Sequence, residues 1–566
     1  MGDAVNGTSA ETERYAIGIS FGNSCSSIAR ISPEGKAEVI ANEEGDRQIP
    51  SILSYIDGEE YHGTQAKAQL VRNSKNTVAY FRDYLGKDFK SIDPTPCHQS
   101  AHPQQQDSTV AFTIRDTASE TPNTVSVSEI TTRHLRRLKQ SATDFLGKEV
   151  NAAVITVPTN FTDAQREALT TAAKAAGLEV LQLIAEPVAA AMAYDARPEA
   201  TVTDKLVVVA DLGGTRSDVA VLACRGGMYT ILATAHDYEL GGASLDQVVI
   251  DHFAKEFMKK HKADPREDAR GLAKLKLEGE GTRKALSLSA NAQLSIESLV
   301  NGIDYGSTIN RTRFELLSGK VFSQFIGLIE QVVKKADLDV LDIDEVIFSG
   351  GASHTPKIAQ LAANIFPEKT TILAPSTSTS AINPSELAAR GAAFQASLIQ
   401  EFDTEDIEQS IHPMVTVTPH LSKAIGVEFT SNNETSFQPL LNAETALPAR
   451  RIAQYSAPKE GGDVLVRVCE GSREIKVTKP EPKAKEEKTA AEEEDSDFDS
   501  DDDEEEEIRE IVWKTEKPVA ELAVKGVKAG AKVEVMIHVN PDLGLQISVR
   551  EVGGSTAVRG AINGSA

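Results

Sequence analysis

The feature that most constrains this 566-residue chain is a pattern written twice. Ala16 to Arg30 reads AIGISFGNSCSSIAR, and Val208 to Ala223 reads VVADLGGTRSDVAVLA. Each has an apolar strand, a small polar residue, a glycine with polar neighbours and a returning strand, with Ser20 and Asp211 in equivalent places. Apolar runs on both sides of a glycine turn read as a hairpin. Two such hairpins about 190 residues apart predict a duplicated fold whose halves face each other across a cleft.

The surrounding sequence fits two α/β lobes. Ala152 to Val157 reads as a strand, Asp163 to Ala176 as a helix stopped by Gly177, and Val180 to Ile184 as a second strand. Pro187 then opens a helix at a first-turn position, where its missing N–H costs little. This alternation fills residues 15–400, after a flexible start at 1–14. The acidic run EFDTEDIEQS opens a polar linker at 401–414. Beyond it, Val464 to Val468 and Val533 to Val539 alternate with period two, and Asn540-Pro541-Asp542 with Gly544 turns into Leu545 to Val549. Residues 415–553 are therefore read as a truncated all-β domain, and 554–566 as a flexible tail.

Charge sharpens this division. The formal net charge is -25, yet 13 of the 16 residues from Glu492 to Glu507 are acidic, so the other 550 carry only -12. That run lies in an insertion, 479–510, with nothing to build a core, and the expectation is disorder. A mildly acidic globular part argues against direct contact with nucleic acid or an anionic membrane, since both select clustered Lys and Arg. No apolar run approaches membrane length, and the start has no secretory pattern. Cys25, Cys97, Cys224 and Cys469 lack disulfide-like spacing, which points to a reducing, cytoplasmic setting. Cys97, His98 and His102 have no fourth partner, so no metal site is expected.

The chemistry points to phosphate. Gly22 with Asn23-Ser24, Gly213-Gly214 with Thr215, Gly241-Gly242, and Gly350-Gly351 all fall in turns at strand ends or helix starts. Glycine lets the backbone come close to an anion, and successive N–H groups then cradle it. Four such turns in a duplicated α/β frame predict a nucleotide cleft.

The segments IGISFGNS, NAAVITVPTNFTDAQREAL, AEPVAAAMAY, DLGGTRSDVAVL, LGGASLDQVVIDHF, FSGGASHTPKI and INPSELAARGAAFQA resemble, in order, the nucleotide-binding domain of the 70-kilodalton heat-shock chaperones. The resemblance implies an α/β actin-like ATPase fold of two duplicated lobes, followed by an all-β sandwich, with no counterpart here of the family's helical lid. It implies ATP as ligand, with magnesium left open. It assigns nucleotide contacts to Gly22, Asn23, Ser24, Cys25, Gly213, Gly214, Thr215, Arg216, Gly242, Glu280, Arg283, Lys284, Ser287, Gly350, Gly351, Ala352 and His354.

Departures from the family pattern fall on its hydrolytic residues. The Asp that organises magnesium and its water matches Ser20, the catalytic Lys matches Arg82, a threonine of the second hairpin matches Arg216, and a late Asp matches Ser385. Glu186, Asp211 and Asp218 are retained. Phosphoryl transfer rests on positioning and charge stabilisation, so binding is expected to survive where hydrolysis fails. Arg216 reads either as a partner of the terminal phosphate or as a surface residue without ligand contact. The acidic linker replaces the family's Leu-rich docking segment, and docking it is expected to bury unpaired carboxylates.

These departures resemble the branch of the family that pairs stably with a zuotin-like J-domain protein on ribosomes. That likeness implies a cytoplasmic, ribosome-associated co-chaperone. Its partner makes the ribosome contact, and together they stimulate the ATPase of a conventional ribosome-bound heat-shock chaperone and assist nascent polypeptides. A hydrolysing peptide-binding chaperone, a nucleotide-exchange relative and a nucleotide-free scaffold stay open as alternatives.

Overall fold

The computed structural model describes residues 14–566 apart from 98–99, 120, 198–199, 202, 404, 408–418, 432–433, 479–507, 555–556 and 565–566. The chain divides into two compact units, Met1–Thr416 and Val417–Ala566.

The first unit carries the duplication in its sheets. In lobe I the strands lie in the order Glu179–Ala185, Ala152–Val157, Ala16–Phe21, Cys25–Ile31, Ala37–Ile40. In lobe II the order is Thr371–Leu373, Glu345–Ser349, Lys205–Leu212, Ser217–Arg225, Met228–Asp237. Both sheets join an antiparallel three-strand meander to two parallel strands, and the parallel pairs need the crossover helices that the sequence supplies. The registers match residue for residue. Ser20 faces Ser27 on one side and Thr156 on the other, as Asp211 faces Asp218 and Ser349.

Local chemistry sets the helix ends. Val127–Leu146 is capped by the Ser126 hydroxyl, which accepts from Glu129 N, and stops at Gly147 with φ 64°. Asp163–Ala175 starts with a Thr162/Gln165 capping box, worth about 1 kcal/mol, and Pro187 lies in the first turn of Glu186–Asp195. The helix Leu387–Ile399 packs through glycine and alanine. A Cβ on Gly18 would lie 2.1 Å from Ala393 N, and one on Gly391 would lie 1.8 Å from Ala189 O. Lobe I is filled by Ile17, Ile19, Phe21, Leu135 and Ile155, and lobe II by Val208, Val221, Phe253, Phe325 and Phe348. Each such side chain contributes about 1.5–3 kcal/mol.

The second unit is a sandwich of two four-stranded antiparallel sheets. One orders Glu434–Leu441, Ala424–Ser431, Gly462–Thr478 and Ile508–Val527, and the other Ala449–Ser456, Lys532–Val539, Leu545–Glu551 and Ala557–Ile562. Alternation places Val533, Val535, Ile537 and Val539 inward against Val427, Val468, Leu522 and Val524. Trp513 half-buries against Phe437, ring centroids 5.8 Å apart.

Three boundary expectations change. The stretch 554–566, read as a flexible tail, contains the strand Ala557–Ile562, which pairs along Leu545–Glu551, so the β domain extends past its expected boundary at 553. Its pattern, AVRGAI, is too short and too interrupted by Gly560 to announce a strand. The insertion read as 479–510 ends sooner, because a strand starts at Ile508; residues 479–507, with the disorder expected of them, lie outside the described residues, as do 1–13. In the segment read as a linker, Ile407 is buried against Leu181, Met192 and Ala396 while Glu401, Asp403, Glu405 and Asp406 stay exposed. Among the described linker residues, one apolar side chain thus docks without the expected burial of carboxylates. Residues 408–414 of that linker lie outside the described residues.

Candidate nucleotide-binding site

The two hairpins close with the same hydrogen bond. Gly22 N donates to Cys25 O at 3.1 Å, and Gly213 N to Arg216 O at 3.0 Å. The glycines are sterically required. A Cβ on Gly22 would lie 2.3 Å from Cys25 O, and one on Gly214 would lie 2.4 Å from Ser24 Oγ in the opposite lobe. Gly350 adopts φ 82°, where a side chain is strained in any case, and its Cβ would lie 2.4 Å from Leu212 O. The turns meet across the cleft, where Asn23 Nδ2 donates to Thr215 Oγ1 at 3.2 Å.

Between the lobes lies a cleft of about 460 Å³. The structure brings to its wall every residue to which the resemblance assigns a nucleotide contact; Gly241 of the third glycine turn is not among the lining residues. Ser20, Arg82, Glu186, Asp211, Asp218 and Arg216 stand at the deep end beside Gly22–Cys25 and Gly213–Thr215. Gly242, Glu280, Arg283, Lys284 and Ser287 line one side, and Gly350, Gly351, Ala352, His354 and Ser385 another.

At the deep end each basic departure is engaged by acid. Arg82, 4 % exposed, lies 3.1 Å from Glu186 and 2.8 Å from Asp83, and donates to Phe21 O. Arg216 is equally buried, so the reading as a surface residue is overturned. Its Nε donates to Asp218 Oδ2 at 2.7 Å, its Nη2 to Asn160 Oδ1 at 3.0 Å, and its guanidinium sits 4.5 Å from the centre of the Tyr238 ring. Burial pushes the Asp211 carboxyl up to about 8, reinforced by the neighbouring charges of Glu186 and Asp218. Burial raises Glu186 as well, against the pull of Arg82. Burial also acts to raise Asp218, but His236, 2.6 Å away, and Arg216 outweigh it and hold that carboxyl below its ordinary value.

Along the helix Ala269–Leu288, Glu280 pairs with Lys284 at 2.7 Å and with Lys67 of the opposite lobe at 2.5 Å. Burial opposes this charge, yet the two ammonium groups hold the carboxyl down to about 2. Arg283 pairs with Asp246 at 2.5 Å, while its Nη1 is buried without a hydrogen-bond partner. His354 faces Ser385, Nε2 to Oγ 3.1 Å, and burial lowers its pKa. Burial likewise raises the Cys25 thiol.

The arrangement suits a nucleotide. Its volume lies in the range of small-molecule sites, its glycine turns offer backbone N–H groups, and Arg283 Nη1 is an unspent donor. It does not suit magnesium. Ser20 offers a hydroxyl where a carboxylate is needed, and Glu186 and Asp218 are held by guanidinium groups. Among the described residues no group of three or more His, Cys, Asp or Glu is placed to hold a metal. Cys97 is buried, its thiol 3.3 Å from Tyr84 Oη, and His98 lies outside the described residues.

Sequence reasoning did not find Asp83, Asn160, His236 and Tyr238 around the two arginines, nor Lys67 and Asp246 around Glu280 and Arg283. Asn160 and Asp246 lie inside segments quoted above, but nothing in one sequence marks them as partners of residues far along the chain. Among the described residues no single helix is long and apolar enough to cross a membrane.

Comparison with known proteins agrees with this geometry. The Hsp70 protein family model matches residues 16–483. The ribosome-associated complex subunit SSZ1 of Saccharomyces cerevisiae is 43% identical over 96% of this chain and 99% of its own length. The heat shock protein 70 homolog C57A7.12 of Schizosaccharomyces pombe is 44% identical over 98% of this chain and 97% of its own. Heat shock 70 kDa protein 14 of Danio rerio is 32% identical over 81% and 89%. With two duplicated lobes, glycine-walled phosphate turns and a β-sandwich, and with this family match, the chain belongs to the Hsp70 family as an atypical member resembling SSZ1.

Proposed function

We propose that this protein is a non-hydrolysing, ATP-binding co-chaperone, the Hsp70-like subunit of a ribosome-associated complex. The observation that carries the reading is the paired neutralisation at the deep end of the cleft, Arg82 with Glu186 and Arg216 with Asp218. Two carboxylates that would orient metal and water are occupied by fixed guanidinium forks, and Ser20 supplies no replacement. The glycine cradle is untouched, so bound ATP acts as a structural ligand. It stabilises the folded first unit by mass action.

Similarity to SSZ1 supports the assembly part of the reading. In it, the chain forms a stable heterodimer with a zuotin-like J-domain protein in the cytoplasm. The J-protein makes the ribosome contact, because a chain of net charge -25 is repelled by ribosomal RNA. The pair stimulates the ATPase of a conventional ribosome-bound heat-shock chaperone and assists nascent chains. An extended segment of the J-protein is expected to lie on the β unit, adding backbone hydrogen bonds and apolar anchors.

A pull-down from cell extract with the tagged full chain tests the assembly. Recovery of a J-domain protein and ribosomes, both lost on removal of residues 417–566, supports the reading. Recovery of neither, or recovery unchanged by the removal, contradicts it.

A further inference from the structure

Arg216 does more than neutralise Asp218. It stands on the lobe II hairpin, and two of its partners, Asn160 Oδ1 at 3.0 Å and Asp83 Oδ1 at 3.8 Å, belong to lobe I. Asn160 follows the lobe I strand Ala152–Val157, and its Nδ2 donates in turn to the hydroxyl of Tyr238 in lobe II, whose ring lies over the Arg216 guanidinium. One lobe I amide is thus held by two lobe II side chains, one as donor to it and one as acceptor from it. Asp218, itself bonded to His236 at 2.6 Å, fixes the guanidinium from behind.

We infer that Arg216, Asn160 and Tyr238 form a latch that holds the two lobes together through side chains alone. Lobe closure is then decoupled from nucleotide: the cleft stays closed by default, and a nucleotide enters or leaves only when the latch opens. The inference rests on the proposed nucleotide binding, but Asn160 and Tyr238 are not among the residues lining the cleft, so the latch can be broken without removing a ligand contact. A buried, oriented guanidinium is suited to this task, because its planar fork holds several acceptors in fixed directions.

The test is stopped-flow binding of methylanthraniloyl-ADP and methylanthraniloyl-ATP to the full chain and to Asn160→Ala and Tyr238→Phe. A latch predicts that Asn160→Ala raises association and dissociation rates together, by about fivefold or more and alike for both nucleotides, while Kd moves by less than about threefold. Tyr238→Phe, which keeps the ring over Arg216 and loses only the hydroxyl, gives a smaller rise of the same kind. Unchanged rates in Asn160→Ala, or a change confined to ATP dissociation, overturn the latch. Amide hydrogen exchange in residues 22–25 and 213–216 of nucleotide-free protein gives a second, ligand-free reading. Faster exchange in Asn160→Ala supports the latch, and equal exchange refutes it. If the wild-type chain binds neither nucleotide, the binding proposal fails while this exchange measurement still decides the latch.

Discussion

Arg82 Nη1 lies 3.1 Å from Glu186 Oε1, in a site where the guanidinium is 4 % exposed and the carboxylate 7 %. Removing one member of such a pair leaves an uncompensated buried charge, which costs about 3–5 kcal/mol. The pair is therefore hard to separate for chemistry. It leaves little freedom for Glu186 to orient a water or for the cation at 82 to move toward a phosphoryl group. Restoring the family residues is expected to act only in combination. The variant carrying Ser20→Asp, Arg82→Lys and Arg216→Thr should gain at least about tenfold in single-turnover hydrolysis, while each single substitution gains less than about threefold. Quenched-flow product analysis measures both.

Nucleotide affinity should depend weakly on magnesium. Glu186 and Asp218 are already balanced by Arg82 and Arg216. Isothermal titration with ATP in excess EDTA and in millimolar magnesium should give dissociation constants within about threefold. A loss of a hundredfold in EDTA would show that a metal is needed after all.

Asp211 makes stability fall with rising pH. Its folded-state pKa of about 8 lies above the ordinary 3.8, so the folded state binds the proton more tightly. The stability this contributes is complete below about pH 4 and lost as pH rises through about 8. Asp211→Asn removes the titration and should stabilise the first unit at pH 9 relative to pH 6, by about 1–3 kcal/mol compared with wild type. Urea titrations at the two pH values check the sign. An identical pH slope in wild type and variant would contradict it.

The strand Ala557–Ile562 should matter for folding. It covers the edge of Leu545–Glu551, and Val558 packs on the sandwich core. Truncation after Gly553 is expected to destabilise the β unit by at least about 2 kcal/mol. The single tryptophan, Trp513, lies in that unit, so its fluorescence in urea reports the loss directly.

The sequence made legible what depends on local pattern. The twin hairpins followed from glycines flanked by apolar strands, and Ala152–Val157 and Asp163–Ala175 from periodicity and capping. Resemblance to a family then supplied the cleft residues, including Ser20, Arg82 and Arg216. What could not be read were pairings set by the tertiary fold. Asn160 and Tyr238 come to Arg216 from separate elements, and Lys67 reaches Glu280 across the cleft mouth. The last strand was missed because its six residues have weak alternation and form only by pairing with a completed neighbour. The linker misled because, among its described residues, the acids face solvent while Ile407 docks.

The central claim is that ATP is held and not hydrolysed, and single-turnover analysis with γ-labelled ATP and excess purified protein tests it most directly. The account predicts bound ATP recovered intact, with phosphate release slower than about 10⁻⁴ s⁻¹ and unaffected by Glu186→Gln. Phosphate release stoichiometric with sites, and abolished by Glu186→Gln, would contradict it.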